Sequence, residues 1–101
     1  MSKSANSSRI RELFAKLMGM EEAKRGMQAN VAKNSNYDRT RVSHALDGDA
    51  SYSMLNRMIA ECIAPNPLIT RSEFVELIDY FHLTNDQRQT LLKEFHHRLP
   101  K

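Results

Sequence analysis

A short polar stretch near the middle of the chain has the side chains best suited to bind another molecule. Five of these side chains fall within six consecutive positions: Arg39, Thr40, Arg41, Ser43 and His44. All of them can donate hydrogen bonds, and such donors bind phosphate oxygens and the edges of DNA bases. The chemistry that this stretch predicts is non-covalent binding of a polyanion.

The remaining histidines and the cysteine do not form a pattern typical of catalysis. His96 and His97 are adjacent, and adjacent residues on a helix point about 100° apart, so they cannot bind one metal ion without distortion. The single Cys62 lies on an apolar helical stripe and is expected to be buried. Neither a glycine-rich phosphate loop nor a set of nucleophile, base and orienting group is recognisable. We therefore expect no enzyme, no cofactor and no metal site.

Two short helical patterns position the polar stretch. The first covers residues 27–35, and Asn36, which tolerates positive φ, then predicts a sharp reversal of the chain. Asp38 predicts the N-cap of a second helix from Arg39 to about Leu46. The inner faces of the two helices are expected to be Met27, Val31, Ala32, Val42, Ala45 and Leu46. The sequence thus predicts a helix-turn-helix with its polar residues facing outward.

The spacing within this segment resembles that of the lambda-repressor and Cro family of DNA-binding domains. In that family a small residue in the first helix is followed ten positions later by a buried valine or isoleucine, and sixteen later by a glycine. Ala32, Val42 and Gly48 follow this spacing. Many members also have a glutamine at the start of the first helix, here Gln28, that contacts the backbone and braces a recognition side chain. The resemblance covers roughly residues 9–64.

The resemblance implies a sequence-specific transcriptional regulator. Its expected activity is that of a repressor or autorepressor that binds a palindromic operator in double-stranded DNA as a homodimer. Its small size also suggests a phage, plasmid or mobile element as the source. DNA bases are expected to be read by Arg39 and Thr40, then by Ser43 and His44. The DNA backbone is expected to be contacted by Gln28, Lys33 and Arg41.

The positive charge is concentrated in the half of the chain that contains the predicted helix-turn-helix. Residues 1–48 have nine Lys or Arg and five Asp or Glu, a difference of +4, whereas residues 49–101 have six and seven, a difference of −1. A basic half suits a polyanionic partner. There is no apolar run of about 18 residues, and residues 1–8 are polar, so we expect a cytoplasmic protein with no membrane contact.

Two further helices are expected around this segment. Ser7 or Ser8 predicts the N-cap of a first helix, and residues 20–25 are either its last turns or a connector. Another helix is expected from Ser51 or Ser53 to Ile63. With them the two motif helices would form a compact bundle.

The segment Ala64-Pro65-Asn66-Pro67 predicts a boundary, because two prolines cannot continue the preceding helix. We therefore expect a DNA-binding domain over residues 1–64 and a helical hairpin over residues 65–101. The hairpin is indicated by two capping boxes, Thr70 with Glu73 and Thr84 with Gln87. The fold class expected is all-α: a small helical bundle containing a helix-turn-helix, followed by a C-terminal two-helix hairpin.

The hairpin has more apolar surface than one contact between its helices would cover. Its apolar residues are Phe74, Leu77, Ile78, Phe81, Leu91, Leu92 and Phe95. They must pack either against the chain's own bundle or against a second copy, and we favour the second copy, which makes the hairpin a dimerisation element. The alternative function is a protein-interaction module, such as an antitoxin or a host-factor-binding protein, in which the helix-turn-helix is a scaffold.

Overall fold

The expected all-α architecture is confirmed by the computed structural model, which describes residues 3–100 and their side chains from residue 6 onward. The expectation for residues 1–8 therefore lies partly outside the described residues, as do the outermost residues of the two predicted domains. Within the described range the chain forms six α-helices and no strand. They are α1 (Lys3–Leu17), α2 (Met27–Ser35), α3 (Arg39–Ala45), α4 (Tyr52–Cys62), α5 (Arg71–Asp79) and α6 (Asn85–Phe95), and a 3-10 helix (His96–Arg98) follows. None of these helices has the length and apolar composition that crossing a membrane requires.

Side-chain caps start the three later helices, and the two predicted capping boxes are confirmed. Ser51 Oγ accepts a hydrogen bond from Met54 N at 3.2 Å, which starts α4. Both capping boxes are present at the starts of α5 and α6, with Thr70 and Thr84 as the capping residues. These caps satisfy N–H groups that have no partner inside their helices, so each helix begins where its sequence specifies.

The start of α1 was predicted wrongly. The helix already includes residue 3, so Ser7 and Ser8 lie inside it and do not cap it. Ser7 Oγ instead donates to Asp47 Oδ1 at 2.6 Å, which ties α1 to the segment after α3. At its other end α1 stops at Leu17, so residues 20–25 belong to the connector to α2.

The proline segment is bound to the end of α1. Ala64 N donates to Leu17 O at 3.1 Å, and Leu68 N donates to Lys16 O at 2.8 Å. These carbonyls lie in the last turn of α1, where no further helical N–H is available. Gly19, with φ of 85°, lies beside this junction, and an added Cβ there would be 3.2 Å from Ala64 Cβ. The connector after α4 therefore donates hydrogen bonds to the last carbonyls of α1, and it also separates α4 from α5.

The C-terminal hairpin packs against its own chain. One continuous hydrophobic core contains residues from α1 to α6. Arg9 on α1 binds Glu76 on α5 through two bonds of 2.6 and 2.8 Å, and Lys16 Nζ lies 2.6 Å from Glu73 Oε2. On the other side, Asn56 Nδ2 of α4 donates to Glu94 Oε1 of α6 at 2.9 Å.

This packing corrects the expected dimerisation surface. Six of its seven residues are buried within one chain: Phe74, Leu77, Ile78, Phe81, Leu91 and Phe95. The seventh, Leu92, is half-buried against the same core. The physical reason is that the apolar side of α1 also needs a partner, and α5 of the same chain packs against α1. These side chains are consequently unavailable to a second copy. The hairpin packs on the chain's own bundle, which was the other alternative.

Candidate nucleic-acid interface

The turn between α2 and α3 has the geometry expected from its sequence. Asn36 adopts φ of 61° and ψ of 40°, the left-handed conformation, as predicted. Its backbone N–H and that of Tyr37 both donate to Ala32 O, the latter at 3.1 Å. Asp38 then caps α3, since its Oδ1 accepts from Arg41 N at 2.8 Å. The chain thus reverses direction within three residues and starts α3 at Arg39.

The inner and outer sides of α3 differ sharply in burial. Val42 and Ala45 are completely buried, as is Leu46 just after the helix. The exposed residues are Arg39, Thr40, Arg41 and His44, and Ser43 is half-buried. The structure therefore brings these five predicted binding residues together on one short helix whose other side is fixed in the core.

Gln28 connects the start of α2 to the start of α3. Its Nε2 donates to Arg39 O at 3.1 Å, and its side chain is half-buried. The contact is to the main chain of Arg39, so the guanidinium group of Arg39 remains exposed. Lys33, the other predicted residue on α2, is also exposed, and no hydrogen bond joins it to the α3 side chains in the described range.

Basic side chains surround the contact between Gln28 and Arg39. Arg11, Lys24 and Arg25 line the same surface depression, which has a volume of about 300 Å³. Arg11 is already paired with Asp47 at 2.8 Å, and it also donates to Leu46 O. Across the described residues no ion pair neutralises Lys24, Arg25 or Arg39, so their charges face solvent. This part of the surface can attract a polyanion.

The chain just after α3 packs closely against the end of α5. Gly48 has φ of 98°, and an added Cβ would be 3.3 Å from Tyr80 O and 3.5 Å from Ile10 Cδ1. Glycine is needed here both for the backbone conformation and for the close approach of the chain to α5. Exposed Asp49 follows and lines a depression with Arg41 and His44. A carboxylate therefore lies at this edge of the polar surface.

No family model, no curated protein and no solved structure matches this chain.

The surface around α3 offers hydrogen-bond donors on a helix whose other side is buried, with unpaired cations beside it, and such groups bind phosphates and base edges. No three His, Cys, Asp or Glu side chains converge as metal ligands within the described part of the chain.

Tyr37 and Arg57 were not expected to belong to this surface. The Cζ of Arg41 lies 5.0 Å from the centroid of the Tyr37 ring, and the Cζ of Arg57 lies 5.4 Å from it. Both distances are within the range of cation–π attraction. Arg57 is on α4, twenty positions after Tyr37. No local pattern relates residues so far apart, so the sequence alone did not indicate this contact. The spacing of Tyr37 and Arg41 by four positions was the one clue available.

Proposed function

We propose that this protein is a sequence-specific DNA-binding transcriptional regulator, acting as a repressor or autorepressor in the cytoplasm. The observation that carries the proposal is the arrangement of α3: its polar residues are exposed together, while its apolar side is fixed in the core. A helix held in this way can enter the major groove without losing its own packing. The unpaired cations beside it favour a polyanionic partner.

In the proposed mechanism α2, the turn and α3 act as a helix-turn-helix. Arg39 and Thr40, at the exposed start of α3, contact base edges, and the Arg39 guanidinium suits guanine O6 and N7. Lys33 and Arg41 contact phosphates and thereby fix the register of α3 in the groove. Gln28 holds the main chain of Arg39 at 3.1 Å, which limits the directions in which that side chain can point. Occupation of the operator then blocks transcription without any chemical step.

We further propose that the protein binds DNA as a homodimer. One α3 spans too few base pairs to select an operator, whereas two copies related by a two-fold axis can read a palindrome. The dimer contact must come from surface residues, because the apolar side of the hairpin is in the core. Light scattering of the protein, alone and with operator DNA, measures this directly.

The proposal is tested by allowing the full-length protein to select duplexes from a pool of random sequences. We expect a preferred sequence (the selected duplex) and an affinity that falls with salt. Arg39→Ala should reduce the preference for the selected duplex over a scrambled one about 10- to 100-fold, while thermal unfolding stays unchanged.

Lys93→Ala, which removes an exposed cation from α6, is the matched control and should keep the full preference. Recovery of no preferred sequence, or a preference that survives Arg39→Ala, would contradict the proposal.

A protein-interaction module is the second candidate, and one observation favours it. Arg71, His96, His97 and Leu99 line a depression of about 530 Å³ near the C-terminus. Leu68, close by in sequence, is the large apolar side chain that stays exposed among the described residues, at 46%. Under this alternative, Arg71→Ala and Leu68→Ser would abolish binding of a partner protein. Arg39→Ala would leave the affinity for that partner unchanged.

A further inference from the structure

Three side chains from different elements meet beside α3. Tyr37 belongs to the turn before α3, Arg41 to the first turns of α3, and Arg57 to α4. Both guanidinium groups lie over the Tyr37 ring, at 5.0 and 5.4 Å. Both arginines are exposed, whereas Tyr37 is half-buried and packs against the core. The half-buried ring thus supports two exposed, charged side chains.

The two positive charges are not neutralised by nearby carboxylates. Asp38 is engaged in capping α3 through Arg41 N, and Asp49 lies across a depression from Arg41. Glu61 is one turn after Arg57 on α4 and is exposed. In the described residues none of these carboxylates comes within ion-pair distance of Arg41 or Arg57. Two like charges near one ring repel each other, and an anion between them would relieve that repulsion.

Two guanidinium groups beside one ring have the chemistry to bind a tetrahedral anion with several acceptor oxygens. A guanidinium group attracted to the face of an aromatic ring still has N–H donors directed away from the ring. Two such groups can each bind a phosphate oxygen through charge-assisted hydrogen bonds. Because the ring restricts both side chains beforehand, less conformational entropy is lost on binding than for two free arginines.

We propose that Tyr37, Arg41 and Arg57 form a binding site for one phosphate group of the DNA backbone, the phosphate clamp. The inference rests on the proposed DNA binding and extends the interface from α2 and α3 to α4. Arg41 and Arg57 bind the phosphate, and Tyr37 is a positioning residue that holds the two arginines. The clamp contributes affinity and register and is independent of the base sequence.

The test compares affinity for the selected duplex and for a scrambled duplex across a salt series, using full-length protein. Arg57→Gln should weaken binding to both duplexes by the same factor, about 10-fold. It should also reduce the magnitude of the salt slope by about 0.9, the value for one phosphate contact. Arg98→Gln removes an equal charge from the exposed C-terminal 3-10 helix and should change neither quantity.

Two variants of Tyr37 separate the ring from the charges. Tyr37→Phe keeps the aromatic face and should bind both duplexes as the unchanged protein does. Tyr37→Leu removes the face and should weaken binding to both about 3-fold. Equal affinities of the two variants would overturn the positioning role of Tyr37.

The outcomes distinguish the clamp from the function on which it rests. If the unchanged protein prefers the selected duplex but Arg57→Gln behaves like Arg98→Gln, the clamp is wrong and the DNA-binding proposal stands. If Arg57→Gln also lowers the preference between the duplexes, Arg57 contacts bases and the phosphate assignment is overturned. If no duplex binds, both proposals are overturned.

Discussion

Asn36 determines the angle between α2 and α3. Among the described residues it is the one non-glycine residue with positive φ. The backbone N–H groups of Asn36 and Tyr37 both donate to Ala32 O. Among non-glycine residues, asparagine is one of the few that adopt the left-handed conformation routinely. The orientation of the polar side of α3 therefore depends on one residue that is itself exposed.

Two substitutions at Asn36 should have opposite outcomes. Asn36→Ala should lower the free energy of unfolding by about 1 kcal/mol, because alanine is disfavoured at positive φ. Asn36→Gly should leave stability unchanged or raise it slightly, since glycine adopts this conformation freely. Urea unfolding followed by circular dichroism measures both. An alanine variant as stable as the glycine variant would show that the turn has another conformation.

Interactions between a residue and its near neighbours in the chain could be predicted from the sequence. The positive φ at Asn36 and the N-cap at Asp38 depend on contacts only a few residues apart. The stacking of Arg57 on Tyr37 could not be predicted, because it depends on how α4 crosses α2.

At the scale of elements, α5 is attached to α1 by ion pairs around an apolar contact. Arg9 binds Glu76 and Lys16 binds Glu73, so two cations of α1 face two carboxylates of α5. The Arg9 guanidinium holds the pKa of Glu76 below its ordinary value, and Lys16 does the same for the pKa of Glu73. Protonation of these two carboxylates in acid should consequently weaken the attachment of α5 to α1.

The effect of pH follows from the direction of these shifts. A carboxyl whose pKa is lower in the folded state stabilises the fold at neutral pH, and this contribution disappears as pH falls below about 4.5 through the folded-state pKa. Glu76→Gln should therefore reduce the free energy of unfolding at pH 7, by about 1 kcal/mol or less since the pair is partly exposed. At pH 3 the difference between the variant and the unchanged protein should be smaller than at pH 7.

Urea unfolding at the two pH values checks this expectation. Glu21→Gln, in the exposed connector before α2, is the matched control and should have no effect at either pH. A loss for Glu76→Gln that persists undiminished at pH 3 would mean that packing rather than charge explains it.

The helices themselves were largely predictable, and their arrangement was not. The capping boxes at Thr70 and Thr84 follow from local sequence and occur as expected, and α4 starts after Ser51, one of its two predicted starting points. The apolar periodicity of α5 and α6 also identified the residues that would be buried. A hydrophobic stripe specifies burial without specifying the partner, however, so the choice between a second copy and α1 could not be made from spacing alone.

At the scale of the whole molecule, the hairpin is part of one core. Phe74 of α5 and Phe95 of α6 are both buried, with ring centroids 6.2 Å apart, and they belong to the same cluster as Phe14 of α1. The apolar side of the first four helices is therefore incomplete without residues 65–100. The residues proposed to bind DNA and the residues that complete the core consequently lie in different parts of one unit.

A fragment of residues 1–64 tests this dependence. We expect it to lack cooperative thermal unfolding by circular dichroism, because removal of α5 and α6 exposes the apolar side of α1. The full-length chain is the control and should unfold in one transition. A fragment that unfolds cooperatively near the temperature of the full-length protein would support an independent N-terminal domain.

The bonds from Ala64 and Leu68 to the last turn of α1 have a consequence for the order of events during synthesis. The ribosome releases the N-terminus first, but α1 obtains its final main-chain partners only after the proline segment has emerged. Its charged partners, Glu73 and Glu76, emerge later still. In the nascent chain α1 therefore obtains all of these partners only after Glu76 has emerged, and a polypeptide that terminates before the proline segment leaves α1 without them.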